Sequence, residues 1–348
     1  MEEIIIKKIN GTILIELNRE RILNALNLNM VRKIKNNIKS WENDKEISGV
    51  IIKGAGEKAF CAGGDIVSVY HAKNDINNDL SDLFFREEFL LNIAIKNFSK
   101  PWISLLNGIS MGGGLGLSVH GSHRLVTNKT IAAMPETAIG YFPDVGGGYF
   151  LSRMPNSLGP YLALTGNTLK EDDCLFSGIA THKVENNNIE EIEAKVLGLK
   201  SYNNLKIEEI LKDYALEREI SSLEKNRDLI EKHFSNSNLV DLFNSLKNDK
   251  SEWADKTYQI LSKKSPTSMG VALRQLERVK NLSFEECMVI EFRICQAMMS
   301  RNDFYEGVRA NLVDKDRSPK WSPTEISEIN EKLIEDHFAS LGNKDLLN

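Results

Sequence analysis

Three glycine clusters limit what this chain can fold into more than any other feature. They are Phe60-Cys-Ala-Gly-Gly-Asp65, Asn107-Gly-Ile-Ser-Met-Gly-Gly-Gly-Leu-Gly116 and Pro143-Asp-Val-Gly-Gly-Gly148. Glycine lets a backbone adopt positive φ and approach a ligand closely, so that its amides can point at an anion. It also serves tight turns and close helix–sheet packing, and for any one cluster the two readings weigh equally. None of the three is a phosphate loop. No Gly-Lys-Ser/Thr stands at the proper place and no G-x-G-x-x-G follows a strand, which disfavours a nucleotide-dependent kinase or dehydrogenase.

The first two clusters follow strand candidates, in a stretch that alternates strand and helix. Residues 3–8 and 12–17 read as strands around Asn10-Gly11, a strong hairpin signal. A helix is expected near 27–41, where Leu28, Val31, Ile34, Ile38 and Trp41 recur at helical spacing. A buried strand at 48–53, a second helix over about 80–97 and a strand at 102–106 continue the alternation, which argues for an α/β fold with parallel strands. From about residue 168, polar Lys/Glu/Asn-rich segments with helical periodicity take over. With no Pro-, Gly- or Ser-rich linker and no repeat, the expected organisation is an α/β core over 1–165 that bears the active site, and a mostly helical region over 166–348 packed on it.

Charge and cysteine usage narrow the partners. A net charge of −5 argues against a general nucleic-acid binder, since phosphate backbones need a basic face, but leaves room for a small anionic ligand. No apolar run approaches the ~20 residues that cross a bilayer, so no membrane association is expected. Residues 1–8 lack the basic start, apolar core and cleavage site of a signal peptide, and the Arg- and Ser-rich pattern of a transit peptide. Cys61, Cys174, Cys287 and Cys295 are scattered without a CxxC pair. Neither a disulfide framework nor a zinc site is expected, and a reducing cytoplasmic setting fits.

One motif points to a different chemistry. Gly108-Ile-Ser110-Met-Gly112 matches the G-x-S-x-G nucleophile elbow in a strand–turn–helix setting, and His120, His123, His182, His233 and His337 could supply the base of a serine esterase. The match is short, and glycine and serine are common in turns.

The clusters taken together resemble the crotonase (enoyl-CoA hydratase/isomerase) superfamily. The likeness rests on Ala59-Phe-Cys-Ala-Gly-Gly-Asp-Ile66, Asn107-Gly-Ile-Ser-Met-Gly-Gly-Gly114 and Met134-Pro-Glu-Thr137, in that order and at fitting separations. It implies a crotonase-like ββα spiral core with a helical C-terminal region, and an oxyanion hole made by the amides of Gly64 and Gly113. Two such amides stabilise an enolate or tetrahedral oxyanion formed from a thioester, one donor being worth ~3–4 kcal/mol of barrier. Hydratases of the superfamily use two glutamates. One matches Glu136, but the other falls at Gly116, so the acid–base pair for hydration is incomplete.

A second acid, Asp144, stands in Phe142-Pro-Asp-Val-Gly146, and the Glu136 plus Asp144 pattern resembles the 3-hydroxyisobutyryl-CoA hydrolase branch. So do Phe84-Phe-Arg-Glu-Glu88, Gly116-Leu-Ser-Val-His-Gly121, Gly178-Ile-Ala-Thr-His182, Ser265-Pro-Thr-Ser268, Arg274-Gln-Leu276, Asp303-Phe-Tyr-Glu-Gly-Val-Arg-Ala310 and Asp316-Arg-Ser-Pro-Lys-Trp321. The likeness runs from about residue 4 to 323. It implies hydrolysis of a short hydroxyacyl-CoA in valine breakdown, with CoA as part of the substrate and no metal or redox cofactor. A hydratase or isomerase of the same fold and a non-catalytic acyl-CoA-binding protein are the alternatives. Crotonase relatives often form trimers or hexamers, which leaves a homo-oligomer open.

Each residue also has a plainer reading. Glu136 could be a helix-start carboxylate favoured by the helix dipole, and Asp144 could cap a helix. Glu88 is by default a solvated helix charge, although its motif suggests that it faces the acyl pocket and binds substrate. Gly63 and Asp65 are expected to shape the loop near the CoA thioester arm rather than to do chemistry. Cys61, His120 and His123 read as packing residues. Arg19, Arg21, Lys58 and Lys320 are candidates for the CoA phosphates, with surface charge as the plainer reading of each.

Overall fold

The computed structural model describes residues 2–73 and 79–347. The Asn10-Gly11 turn joins β1 (Ile4–Ile9) to β2 (Thr12–Leu17) as an antiparallel hairpin, with Ile4 opposite Leu17 and Ile9 opposite Thr12. Asn10 takes φ of 49°, a conformation that asparagine tolerates better than most residues. Parallel pairing then adds β3 (Gly49–Gly54), β5 (Trp102–Leu106), β7 (His123–Val126) and β9 (His182–Lys183), in the sheet order β1-β2-β3-β5-β7-β9. Between β2 and β3 runs the helix Leu28–Asn43, capped by the Asn27 side chain and burying Met30, Val31, Ile34, Ile38 and Trp41. The expected helix near 80–97 is Leu80–Lys96.

A second sheet has three short parallel strands, β4 (Ala59–Cys61), β6 (Ile109–Met111) and β8 (Ile131–Ala133), with β6 in the middle. Strands of three residues are too short to display an alternating pattern, so periodicity does not reveal them.

The chain folds as two compact units, each built from three separate stretches. The first comprises Met1–Gly64, Leu90–Ala133 and Thr168–Lys225, and the second Asp65–Phe89, Met134–Asn167 and Asn226–Asn348. These units cut across the expected division at 165/166. Thr168–Lys225 joins the first because β9 pairs with β7 and because Ile189, Ile192, Val196, Ile207 and Leu211 pack with Leu14, Ile51, Ile103 and Leu125 of the larger sheet. Both sheets lie in the first unit. The second is helical among its described residues. Its main helices are Pro266–Val279, entered through Ser265 with proline at the first turn, and Phe284–Met299, entered through a Ser283/Glu286 capping box. All four cysteines are buried free thiols, and no helix among the described residues is long and apolar enough to cross a membrane.

Candidate active site

In the first unit the small sheet arranges the glycine turns. Because β4, β6 and β8 are parallel neighbours, their carboxyl ends share one edge. Each strand runs directly into a segment singled out above: β4 into Ala62-Gly63-Gly64, β6 into Gly112-Gly113, and β8 into Met134-Pro135-Glu136. Gly63 has φ of 108° and Gly112 of 48°, conformations that a side chain would strain. A Cβ on Gly63 would lie 3.2 Å from the Met111 oxygen and 3.6 Å from the Gly113 nitrogen, so the two turns approach within van der Waals range. The first turn is pinned by Leu26 N donating to Gly63 O at 2.8 Å and Ala62 N donating to Leu23 O at 3.0 Å. Among the described residues, the amides of Gly64 and Gly113 donate no hydrogen bond. Two unused amides on adjacent turns suit an anion, because buried N–H groups are otherwise paired.

The same unit disposes of the nucleophile elbow. Ser110 is fully buried in β6 and its hydroxyl donates to Gly108 O at 3.5 Å. His123 and His182 instead direct their Nε2 atoms at Glu208, at 3.1 and 3.2 Å. Among the described residues no histidine meets Ser110, so a serine esterase lacks its base. At position 116, where a hydratase glutamate would fall, the buried glycine offers only its backbone, whose carbonyl accepts from Asn92 Nδ2 at 3.1 Å.

The second unit gathers the acids. Glu88, Glu136 and Asp144 are 2%, 5% and 5% exposed, so Glu88 is not the solvated helix charge of its default reading. Burial among apolar groups raises all three pKa values: Glu88 and Glu136 go up to about 8, and Asp144 well above the usual range. After burial, the negative charges of Glu88, Glu136 and Glu291 push Asp144 up, while Glu291 and Glu88 push Glu136 up. The Lys264 ammonium pulls Glu136 the other way. The apolar surroundings include Phe85 against Tyr141 (ring centroids 5.5 Å), Tyr141 against Phe304 (5.4 Å) and Phe89 against Phe292 (6.3 Å). Glu88 Oε1 and Glu136 Oε2 are buried with no protein hydrogen-bond partner among the described residues. An unpaired buried acceptor costs free energy, and a polar substrate would relieve it.

Glu136 opens a single 3-10 turn, Glu136–Ile139, closed by Gly140 at φ of 69°. That turn is held from several sides: Thr137 Oγ1 donates to Leu164 O at 3.0 Å, Ser265 N to Thr137 O at 3.2 Å, and Asn311 Nδ2 to Ala138 O at 2.8 Å. The C-terminal motifs belong to this frame. Ser265 Oγ donates to Asp303 Oδ2 at 2.7 Å, and Ser322 N to Asp303 Oδ1 at 2.9 Å. Asp144 does not cap the helix after it: Gly147–Leu151 has Gly146 at its N-cap and no side-chain cap. Asp65 does act as a cap, its Oδ1 accepting from Ser68 N at 3.2 Å at the start of Ile66–Ala72.

Of the basic candidates, Arg19 is engaged internally, with Nη1 donating to Ala25 O at 2.8 Å and Nε 3.4 Å from Glu3. Arg21, Lys58 and Lys320 are exposed. Lys264 and Glu291 were not foreseen. Neither has a local motif; each reaches the acids only through tertiary folding, and the Ser265-Pro-Thr-Ser268 motif beside Lys264 is the nearest sequence sign.

Residues 12–338 match a family described as enoyl-CoA hydratase/isomerase. A relative named 3-hydroxyisobutyryl-CoA hydrolase, mitochondrial, from Danio rerio is 45% identical over 349 residues, covering 99% of this chain and 91% of the relative. Its namesake from Xenopus laevis is 48% identical over 337 residues, covering 95% and 87%. A solved structure described as a carnitinyl-CoA dehydratase from Mycobacterium thermoresistibile superposes with a TM-score of 0.93 at 33% identity, covering 99% of this chain and 98% of that one.

Proposed function

The chain belongs to the enoyl-CoA hydratase/isomerase family, and we propose that within it the chain hydrolyses 3-hydroxyisobutyryl-CoA to 3-hydroxyisobutyrate and free CoA, a step of valine breakdown. The observation that carries this reading is near-full-length identity of 45–48% to hydrolases of that name. The acid pattern agrees: carboxylates at 136 and 144, and none at 116. A dehydratase or hydratase is the second reading, favoured by the description of the solved structure at 33% identity. The glycine at 116 weighs against it.

In the proposed mechanism the thioester oxygen is held by the amides of Gly64 and Gly113, which stabilise the charge that develops on it. Glu136 in its ionised form either takes a proton from the attacking water or attacks the carbonyl itself to form a mixed anhydride that water then opens. In both routes the C–S bond breaks and the departing sulfur takes up a proton. Asp144 and Glu88 hold the substrate's 3-hydroxyl. A buried acceptor waiting for a hydroxyl discriminates against acyl chains that lack it, and the unpaired Glu88 Oε1 supports that role. Gly63 and Asp65 shape the loop beside the thioester arm. No cofactor is proposed beyond the substrate's own CoA. The cytoplasm is proposed as the compartment on the scattered free thiols alone, against relatives whose names carry the word mitochondrial.

The test is release of free thiol from a panel containing 3-hydroxyisobutyryl-CoA, isobutyryl-CoA and crotonyl-CoA, with hydration of crotonyl-CoA followed in parallel. Fastest thiol release from 3-hydroxyisobutyryl-CoA supports the reading. Hydration that outruns thiol release on every substrate overturns it.

A further inference from the structure

Beyond the three acids, a fourth carboxylate in the second unit serves the turn that carries Asp144. Glu291, on the helix Phe284–Met299, is 0% exposed. Its Oε2 accepts from Gly146 N at 2.7 Å, and its Oε1 accepts from Gly148 N at 2.9 Å and from Gln275 Nε2 at 3.1 Å. The Cys287 thiol adds a fourth donor at 3.5 Å, four residues earlier on the same helix. Gln275 Nε2 also donates to Pro143 O at 2.9 Å. The backbone is thus fastened just before Asp144 and just after Val145.

That fastening matters because the turn is strained. Val145, a β-branched residue, has φ of 51°, and Gly146 has φ of 83°. Such a conformation is disfavoured for a β-branched side chain and persists only where the surroundings enforce it. The plainer account is that Glu291 merely satisfies two backbone amides. A neutral acceptor would do that without burying an ionisable carboxyl, whose pKa burial pushes up to about 7 against the pull of the Gly146 and Gly148 amides. We propose that Glu291 is a positioning residue for the reaction: together with Gln275 it clamps the Pro143–Gly148 turn in the strained form that presents Asp144. The inference rests on the reading that Asp144 holds the substrate's 3-hydroxyl.

Charge gives the clamp a second signature. Among the described residues, the groups whose charges bear on this cluster include Glu88, Glu136 and Asp144, the Tyr141 hydroxyl and Cys295 thiol beside Asp144 and Glu88, the Cys287 thiol hydrogen-bonded to Glu291, Arg153 acting on that thiol, and Lys264 acting on Glu136. Glu291 raises both Glu136 and Asp144, so removing its charge lets both ionise at lower pH.

The experiment compares wild type, Glu291→Gln and Gly148→Ala. A Cβ at Gly148 would stand 2.6 Å from Gln275 Nε2 and 3.0 Å from Glu291 Oε1, so it disturbs the clamp without removing a charge. Amide hydrogen exchange across residues 143–150 is expected to accelerate about tenfold or more in both variants. kcat/KM for 3-hydroxyisobutyryl-CoA should fall about tenfold, and for isobutyryl-CoA much less. The acid limb of the pH profile should move down in Glu291→Gln and stay in place in Gly148→Ala. Unchanged exchange, or equal losses on both substrates, overturns the proposal. Should Glu291→Gln fail to fold, the exchange and substrate selectivity of Gly148→Ala decide alone. A wild type that releases thiol from neither substrate refutes the functional reading, while exchange still judges the clamp.

Discussion

Lys264 and Glu136 each shift the other toward its charged form: the ammonium draws the carboxyl down, and the carboxylate draws the ammonium up. Burial opposes both, raising Glu136 to about 8 and lowering Lys264 to about 8. Glu136 must be ionised to act as base or nucleophile, so kcat/KM should climb with pH along a limb set by its pKa. Lys264→Met removes a lowering influence and should move that limb to higher pH. Glu88→Gln removes a raising influence and should move it to lower pH. Rate profiles of the two variants check this, and shifts of the same sign would detach the limb from Glu136.

Glu136→Gln keeps the side-chain volume and removes the ionisable acid. kcat is expected to fall on the order of 10²-fold or more with the fold intact. Steady-state kinetics beside circular dichroism provides the check. Nearly full activity would take Glu136 out of the mechanism.

The buried acids also predict how stability depends on pH. Glu88 and Glu136 rise from 4.5 to about 8 on folding, so across that window the folded chain holds protons that the unfolded chain has released. Stability then falls as pH rises from about 4.5 to 8. Glu88→Gln and Glu136→Gln, which cannot ionise, should each flatten that fall and be relatively more stable at pH 8.5 than at pH 5. Urea midpoints at the two pH values measure it.

Gly63→Ala tests the close approach of the two glycine turns. The added carbon meets a φ of 108° and crowds the Met111 oxygen at 3.2 Å, which is expected to shift one turn against the other and disturb the alignment of the two amides. A loss of about 10²-fold in kcat is expected, near the effect of losing one oxyanion donor. Ser110→Ala, by contrast, should stay within about threefold of wild type, since among the described residues its buried hydroxyl meets the Gly108 carbonyl and no histidine. Its inactivation, or labelling of Ser110 by a fluorophosphonate, would revive the esterase.

Asp144→Asn should impair 3-hydroxyisobutyryl-CoA more than isobutyryl-CoA, because a hydroxyl partner matters only to the hydroxylated chain. Paired kcat/KM values decide it; equal losses point to a purely structural aspartate.

Some of this was legible in the residues and some was not. The hairpin was written in Asn10-Gly11, and the helix Leu28–Asn43 in the spacing of Val31, Ile34, Ile38 and Trp41. β4, β6 and β8 were hidden, because three residues carry no period. The burial of Glu88 was masked by Phe84, Phe85, Phe89 and Leu91, which spread apolar character around the helix and erase a polar face. Lys264 and Glu291 act across more than a hundred residues on Glu136, a relation no local spacing encodes. Family likeness pointed to Glu136 and Asp144; their surroundings emerged only on folding.

The interleaved build of the two units has a consequence for synthesis. The chain passes from one unit to the other after residues 64, 89, 133, 167 and 225. A nascent chain cannot finish the first unit until Lys225 has emerged, nor the second until the stretch from Asn226 onward has followed it. Long before then, Phe85 and Phe89 have left the ribosome without Tyr141 and Phe292, the rings they meet in the folded chain. Apolar surface kept waiting in this way favours aggregation, so the yield of active enzyme should depend on chaperone supply and translation speed more than its equilibrium stability suggests.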